Sequence, residues 1–171
     1  MKPLFLALKA KLYDYDKIQS DFSGLLKGRW VAEENLHITL NYFGNKFTIE
    51  ELLEKLPPLI TPVPELHLSG LGYFEKNKIL YIKSEVMGLA SLSEAIAKEF
   101  SLPQTKEFIP HVTLMRVKSI TDIEGFKQMV ASYKDEELGS ISTTPELMQS
   151  EIRHPGGAVY TSLQSFSMAA T

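Results

Sequence analysis

The chain has 171 residues, 44% apolar and 10% aromatic, with a formal net charge of -3, an isoelectric point near 5.8 and no cysteine. That length can bury a real core, while the missing cysteine excludes disulfides, thiol catalysis and thiolate metal sites and fits a reducing, cytoplasmic setting. The mildly acidic balance argues against an extended nucleic-acid footprint, which needs a basic stripe, but leaves room for an RNA end or a small phosphate ester, and no apolar run approaches the roughly 20 residues that cross a bilayer.

The apolar stretch from Met1 to Lys9 is too short for a signal peptide's apolar region plus cleavage site and reads as a first strand. Ile18, Phe22, Leu25 and Leu26 recur with helical spacing, predicting a helix from about Tyr13 to Lys27 that Gly28 stops. Arg29-Trp30-Val31 is a short extended piece, and Leu36 to Phe43 an alternating strand turned by Gly44-Asn45. Thr48 with Glu51 forms a capping-box pattern for a helix carrying Ile49, Leu52, Leu53 and Leu56, which Pro57-Pro58 ends. The stretch rich in proline from Pro57 to Pro64 connects two lobes, and strands follow at Leu66 to Gly72 and Ile79 to Ser84 around a loop at Glu75-Lys76-Asn77-Lys78. Leu89, Leu92, Ile96 and Phe100 mark a third helix, and Ile123, Phe126, Val130 and Tyr133 a fourth after Thr121, with a strand between them. The tail alternates as two strands, Leu138 to Ser150 and Ala158 to Met168, joined at His154-Pro155-Gly156-Gly157.

Two of the four histidines share one local pattern, His37-Ile38-Thr39-Leu40 and His111-Val112-Thr113-Leu114, 74 positions apart (111 − 37). In an extended chain residues i and i+2 share a face, so each motif offers an imidazole beside a hydroxyl, while Ile38, Leu40, Val112 and Leu114 anchor the strand from the other side. One His-x-Thr is a weak motif. Two copies in a pattern of hairpins and helices imply an internal duplication: an α+β protein whose residues 1–171 form one bilobal domain, with two pseudo-symmetric lobes, largely antiparallel sheets flanked by helices, and a central groove.

Two lobes confronting each other would set His37 and His111 on opposite sides of one substrate group. Histidine titrates near pH ~6.5, so differing surroundings leave one imidazole neutral and the other protonated. Phosphodiester cleavage suits such a pair, because the attacking oxygen loses a proton and the leaving oxygen gains one, each transfer contributing typically ~10² to 10⁴-fold. No metal or other cofactor is then needed, and Thr39 and Thr113 are positioned to donate hydrogen bonds to the phosphate. A zinc site lacks the convergent ligands, and neither a nucleophile elbow, a P-loop nor a dinucleotide glycine fingerprint occurs. His67 reads as a strand-surface residue, and Arg153 and His154 as a turn that can border the groove. Tyr42, Phe43 and Tyr160 read as packing residues before base-stacking platforms, although a groove-facing one could stack a terminal base, and Trp30 reads as core.

These residues resemble the two-histidine (2H) phosphoesterase superfamily, and within it the RNA 2′,3′-cyclic phosphodiesterases historically called 2′-5′ RNA ligases. The likeness rests on Arg29-Trp30-Val31, Asn35-Leu36-His37-Ile38-Thr39-Leu40 with Phe43-Gly44, Phe108-Ile109-Pro110-His111-Val112-Thr113-Leu114 with Arg116, and the closing Ser150-x-Ile152, Gly157 and Tyr160-x-x-Leu163. It implies cleavage of a 2′,3′-cyclic phosphate at an RNA end by water to leave a 2′-phosphate, with 2′-5′ ligation as the reverse direction. It makes His37 the proton donor and His111 the acceptor, gives Thr39 and Thr113 the phosphate, and adds the charge of Arg116. Strict alternation sets Arg116 opposite His111, so it reaches the phosphate only where the strand twists, bulges or ends. The expected partners are RNA 3′ ends or small cyclic-phosphate nucleotides, met by a monomer and not by a membrane protein. A cyclic phosphodiesterase for a small nucleotide metabolite and an RNA-end binding module with little catalysis are the alternatives.

Overall fold

The computed structural model of the chain describes residues 2–84, 88–103, 108–153 and 157–166. In chain order the elements are β1 (Leu4–Leu12), α1 (Tyr15–Asp21), β2 (Leu26–Trp30), β3 (His37–Gly44), α2 (Ile49–Lys55), β4 (Leu66–Ser69), β5 (Leu71–Phe74), β6 (Ile79–Lys83), α3 (Leu89–Glu99), β7 (His111–Ile120), α4 (Ile123–Ser132), β8 (Glu137–Ile141), β9 (Glu146–Arg153) and β10 (Gly157–Ser165). Short 3₁₀ turns lie at Glu33–Asn35 and Pro57–Leu59. The strands hydrogen-bond in the order β10-β9-β1-β3-β7-β6-β5, with β2 beside β7 and β8 linking β1 to β4. Every pairing is antiparallel, and the helices pack on the sheet, which is the α+β class expected. Among the described residues no helix is long and apolar enough to cross a membrane.

The sheet contains the same hairpin-like unit twice. On one side Phe5, Leu6, Ala7, Leu8 and Lys9 of β1 face Tyr42, Asn41, Thr39, Ile38 and His37 of β3. On the other, Ile79, Leu80, Tyr81, Ile82 and Lys83 of β6 face Arg116, Met115, Thr113, Val112 and His111 of β7. The offset of 74 seen between the motifs holds for all five pairs. The two units meet where Ile38 pairs with Val112. Leu6, Leu8, Ile38, Leu80, Ile82, Val112 and Leu114 are fully buried in one core, closed over by Leu89, Leu92 and Ile96 of α3.

Several boundaries differ from the expected ones, each for a local reason. The helix expected to run to Lys27 ends at Asp21, because Gly24 takes φ +81, which a right-handed helix cannot contain, and the ladder with β7 captures Leu26 to Trp30 as a strand. Gly28 therefore stops no helix. It sits in β2 where a Cβ would strike the carbonyl oxygen of Arg116 and the Sδ of Met115. The single strand expected from Leu66 to Gly72 is two, since Gly70 at φ +78 turns the chain from its partner β8 toward β6. The segment from Leu138 to Ser150 likewise splits at Pro145, which lacks an N–H for the ladder, and Ser142 Oγ accepts from Thr144 N at 3.1 Å in the turn. The helix starts fare better: Thr48 accepts from Glu51 N at 3.1 Å as expected, and Asp14 and Asp122 cap α1 and α4. Of the turn expected at His154-Pro155-Gly156-Gly157, the first three residues lie outside the described residues, and Gly157 begins β10.

The two glycines differ in what they protect. Gly24→Ala meets no atom and is expected to cost about 1–2 kcal/mol for its left-handed backbone alone. Gly28→Ala must move β2 off β7, so its urea midpoint is expected to fall further below wild type than that of Gly24→Ala. A Gly28→Ala midpoint equal to wild type would show that the close approach is not enforced.

Candidate active site

Each motif strand holds its imidazole by the same backbone device. The carbonyl of Asn35 accepts from His37 Nδ1 at 2.7 Å, and that of Ile109 accepts from His111 Nδ1 at 2.8 Å, two residues upstream in both cases. Fixing Nδ1–H fixes the tautomer and leaves Nε2 for chemistry. His37 Nε2 lies 3.1 Å from Thr39 Oγ1. Asn35 is anchored in turn, its side-chain Nδ2 donating to the Ala158 carbonyl of β10 at 2.9 Å. Two aromatic rings flank each imidazole: Phe5 and Tyr160 lie 5.2 and 5.1 Å from His37, Phe74 and Tyr81 lie 5.1 and 5.5 Å from His111.

Past each threonine the strand carries an extra residue. The β1–β3 register skips Leu40 between Thr39 and Asn41, and the β6–β7 register skips Leu114 between Thr113 and Met115. These are β-bulges, and each reverses the alternation beyond it. Leu40 and Asn41 are consecutively buried, as are Leu114 and Met115, so Tyr42 and Arg116 emerge on the same face as the histidines. Strict alternation had set Arg116 on the opposite face; the bulge brings it round.

His37, His111, Thr39, Thr113 and Arg116 consequently line one cleft of about 460 Å³, together with Phe5, Asn35, Tyr42, Ile79, Ser150, Ile152 and Tyr160. Tyr42 was expected to pack, yet it is 62% exposed at the cleft, and Tyr160 lines the cleft beside His37; Phe43 alone of the three is buried, against Phe47 and Phe100. Trp30 is half-buried against Tyr15 and Phe22 and is not fully enclosed. His67 is a surface residue of β4, its Nδ1 2.6 Å from Glu137 Oε1, and Arg153 pairs with Glu151 at 3.1 Å instead of reaching the cleft. His154 lies outside the described residues. Phe74 and Tyr81 escaped sequence reasoning, as did the part Asn35 plays in holding His37; Tyr81 stands opposite Thr113 only through the β6–β7 register, as Ala7 stands opposite Thr39.

Burial pushes the His37 imidazole below the ordinary histidine range; the hydrogen bond to Asn35 pulls it up, and the charge of His111 adds to the lowering. A charge on His111 thus disfavours a proton on His37. Burial also raises the Tyr160 hydroxyl, and the nearby Arg116 guanidinium opposes that rise. Among the described residues no ion pair engages Arg116, and no three His, Asp or Glu side chains converge in a way that would hold a metal ion.

The arrangement has relatives. The family model described as "2'-5' RNA ligase superfamily" matches residues 14–142. The chain belongs to that superfamily. A relative named RNA 2′,3′-cyclic phosphodiesterase from Methanocaldococcus jannaschii is 27% identical over 154 residues, covering 84% of this chain and 86% of its own length. One of the same name from Aquifex aeolicus is 25% identical, with 88% and 87% covered. Among solved structures, the TT0787 protein of Thermus thermophilus matches with a TM-score of 0.69 at 24% identity over 96% of both chains, and E. coli LigT complexed with 3'-AMP with 0.70 at 22% over 99% of both. These likenesses extend the fold match from end to end of the chain.

The lowered His37 predicts an acid limb in stability. In the unfolded chain His37 takes up its proton near pH 6.5, but in the fold only at lower pH, so between these values the unfolded state binds more protons and stability falls as pH falls. Denaturant midpoints measured from pH 8 to pH 5 are expected to be steeper below about 6.5 for wild type than for His37→Gln. Identical acid limbs would mean that burial does not hold His37 neutral.

Proposed function

We propose that the protein hydrolyses the 2′,3′-cyclic phosphate at an RNA 3′ end to a 2′-phosphate, with His37 and His111 as an acid–base pair and no metal ion. The observation that carries this reading is the meeting of both His-x-Thr pairs and Arg116 along one cleft, with each imidazole's Nδ1 tied to a carbonyl. The names of the relatives support the same substrate class.

In this reading His111 Nε2 accepts a proton from water as its oxygen bonds to phosphorus. The bond from phosphorus to the 3′ oxygen breaks, and His37 Nε2–H supplies that oxygen's proton. The hydroxyls of Thr39 and Thr113 and the guanidinium of Arg116 hold the non-bridging oxygens, where preorganised donors stabilise charge best. The choice of His37 as donor follows the family resemblance. Burial in the cleft disfavours its proton, and an arriving phosphate anion would restore it, loading the acid when substrate is present. A 5′-hydroxyl in the place of water would give a 2′–5′ linkage.

A second reading, a cyclic phosphodiesterase for a small nucleotide, uses the same groups and is favoured by a cleft of about 460 Å³, which suits one nucleotide. Phosphorus NMR of chelator-treated protein with a nucleoside 2′,3′-cyclic phosphate and with a short RNA bearing that end tests both. A 2′-phosphate from the RNA is expected; turnover of the mononucleotide alone would favour the second reading, and binding without conversion would make the protein an RNA-end binding module. Activity lost to the chelator would overturn the metal-free mechanism.

His37→Ala and His111→Ala are each expected to lower turnover by about 10² to 10⁴-fold while the fold persists. The roles separate on an aryl phosphodiester, whose leaving group needs no proton. There His37→Ala should regain most of its rate and His111→Ala should not, and the reverse result would exchange donor and acceptor.

A further inference from the structure

Beside the cleft that holds the histidines lies a second one, of about 490 Å³, lined by Arg29, Trp30, Ala32, Gly157 and Ala158. The two are continuous, because Val31, Asn35, Arg116, Ser150, Ile152 and Tyr160 border both. Arg29 and Arg116 are cross-strand partners in the β2–β7 ladder. Antiparallel partners have Cα atoms roughly 4.5–5.5 Å apart, and like charges set opposite each other are destabilising unless something anionic lies between or beside them. Among the described residues no ion pair engages either guanidinium, in a protein whose formal net charge is -3. Gly157 also leaves room for Arg29, since a Cβ there would come within 3.0 Å of the guanidinium Nη1 at the wall of the cleft. Ile152, 69% exposed, adds an apolar surface between the two spaces.

Resting on the RNA-end reading, we infer that this second cleft is a subsite for the next phosphodiester of the RNA chain, the one 5′ to the terminal nucleotide, with Arg29 as its cation and Arg116 between the two phosphates. An exposed pair of arginines at one end of the groove is a small electrostatic footprint, consistent with an acidic protein that grips an RNA terminus and not its length. It makes the protein selective for an oligonucleotide end over a cyclic mononucleotide, and the selectivity resides in the charge of one linkage.

Three substrates read this out: a nucleoside 2′,3′-cyclic phosphate, a dinucleotide ending in the cyclic phosphate, and the same dinucleotide with an uncharged methylphosphonate linkage. Wild type is expected to show kcat/KM about tenfold higher for the charged dinucleotide than for the neutral one, the size of one charge-assisted contact. Arg29→Gln should reduce that ratio to near one, and Arg29→Lys should retain part of it. Equal kcat/KM for the charged and neutral dinucleotides in wild type would overturn the subsite without touching the phosphodiesterase reading, whatever the variant does. An undiminished ratio in folded Arg29→Gln would remove Arg29 from it. No turnover of any of the three substrates would overturn both.

Discussion

In a strand of period two, His37 and Thr39 share a face that Tyr42 cannot reach, and His111 and Thr113 a face that Arg116 cannot reach. The extra residue at Leu40–Asn41 and again at Leu114–Met115 removes that obstacle, turning two neighbouring side chains inward and advancing the next one to the polar face. Much of the site's surroundings depends on these two bulges. They send Asn41 into the interior, where its Nδ2 donates to the Ser93 carbonyl of α3 at 3.0 Å and Ser93 Oγ returns a bond to the Leu40 carbonyl at 2.9 Å. They send Met115 against Gly28, and so set how closely β2 approaches β7. Since β2 carries Arg29, the same irregularity that exposes Arg116 also brings the second arginine alongside it.

Periodicity in the sequence located the helices from Ile49, Leu89 and Ile123, because each has a stripe of apolar residues that buries in the core, and Thr48 and Asp122 cap the first and last of them. It failed where one residue's backbone overrides a continuing pattern. Leu25 and Leu26 fall at helical spacing from Ile18 and Phe22, but Gly24 breaks the helix between them, and Leu26 finds its burial in the β2–β7 pairing instead. Gly70 and Pro145 divide alternating runs in the same way, and alternation has no means of registering such a break when both sides remain apolar on every second residue.

The histidines and threonines were legible because a tetrapeptide pattern occurs twice in a chain with four histidines. Their supporting residues were not, since support comes through backbone carbonyls, which any residue can supply, and through rings on other strands. Asn35 is the clearest case: its carbonyl orients His37 while its side chain reaches across to β10, a contact between residues 123 positions apart that no local pattern encodes. For Arg116 the resemblance pointed to the cleft while strict alternation pointed away from it, and for Tyr42 alternation gave no cleft position, because a bulge is invisible in a sequence whose inward residues, Asn41 and Met115, are chemically unlike.

The duplicated register also explains how two similar strands can serve opposite roles in the proposed chemistry. Identical surroundings would give two imidazoles the same proton affinity, and an acid–base pair needs them to differ. The backbone preserves the repeat down to the bulge, whereas the side chains at equivalent positions have diverged: Ala7 against Tyr81, Phe5 against Ile79, Tyr42 against Arg116. His37 lies against rings from β1 and β10, His111 against rings from β5 and β6. Arg116 on β7 thus stands where β3 carries Tyr42, so a substrate that carries a phosphate and a base would meet a surface with a direction. Symmetry of the main chain repeats the two His-x-Thr pairs, and asymmetry of the side chains gives the two imidazoles the different surroundings that the proposed acid–base roles require.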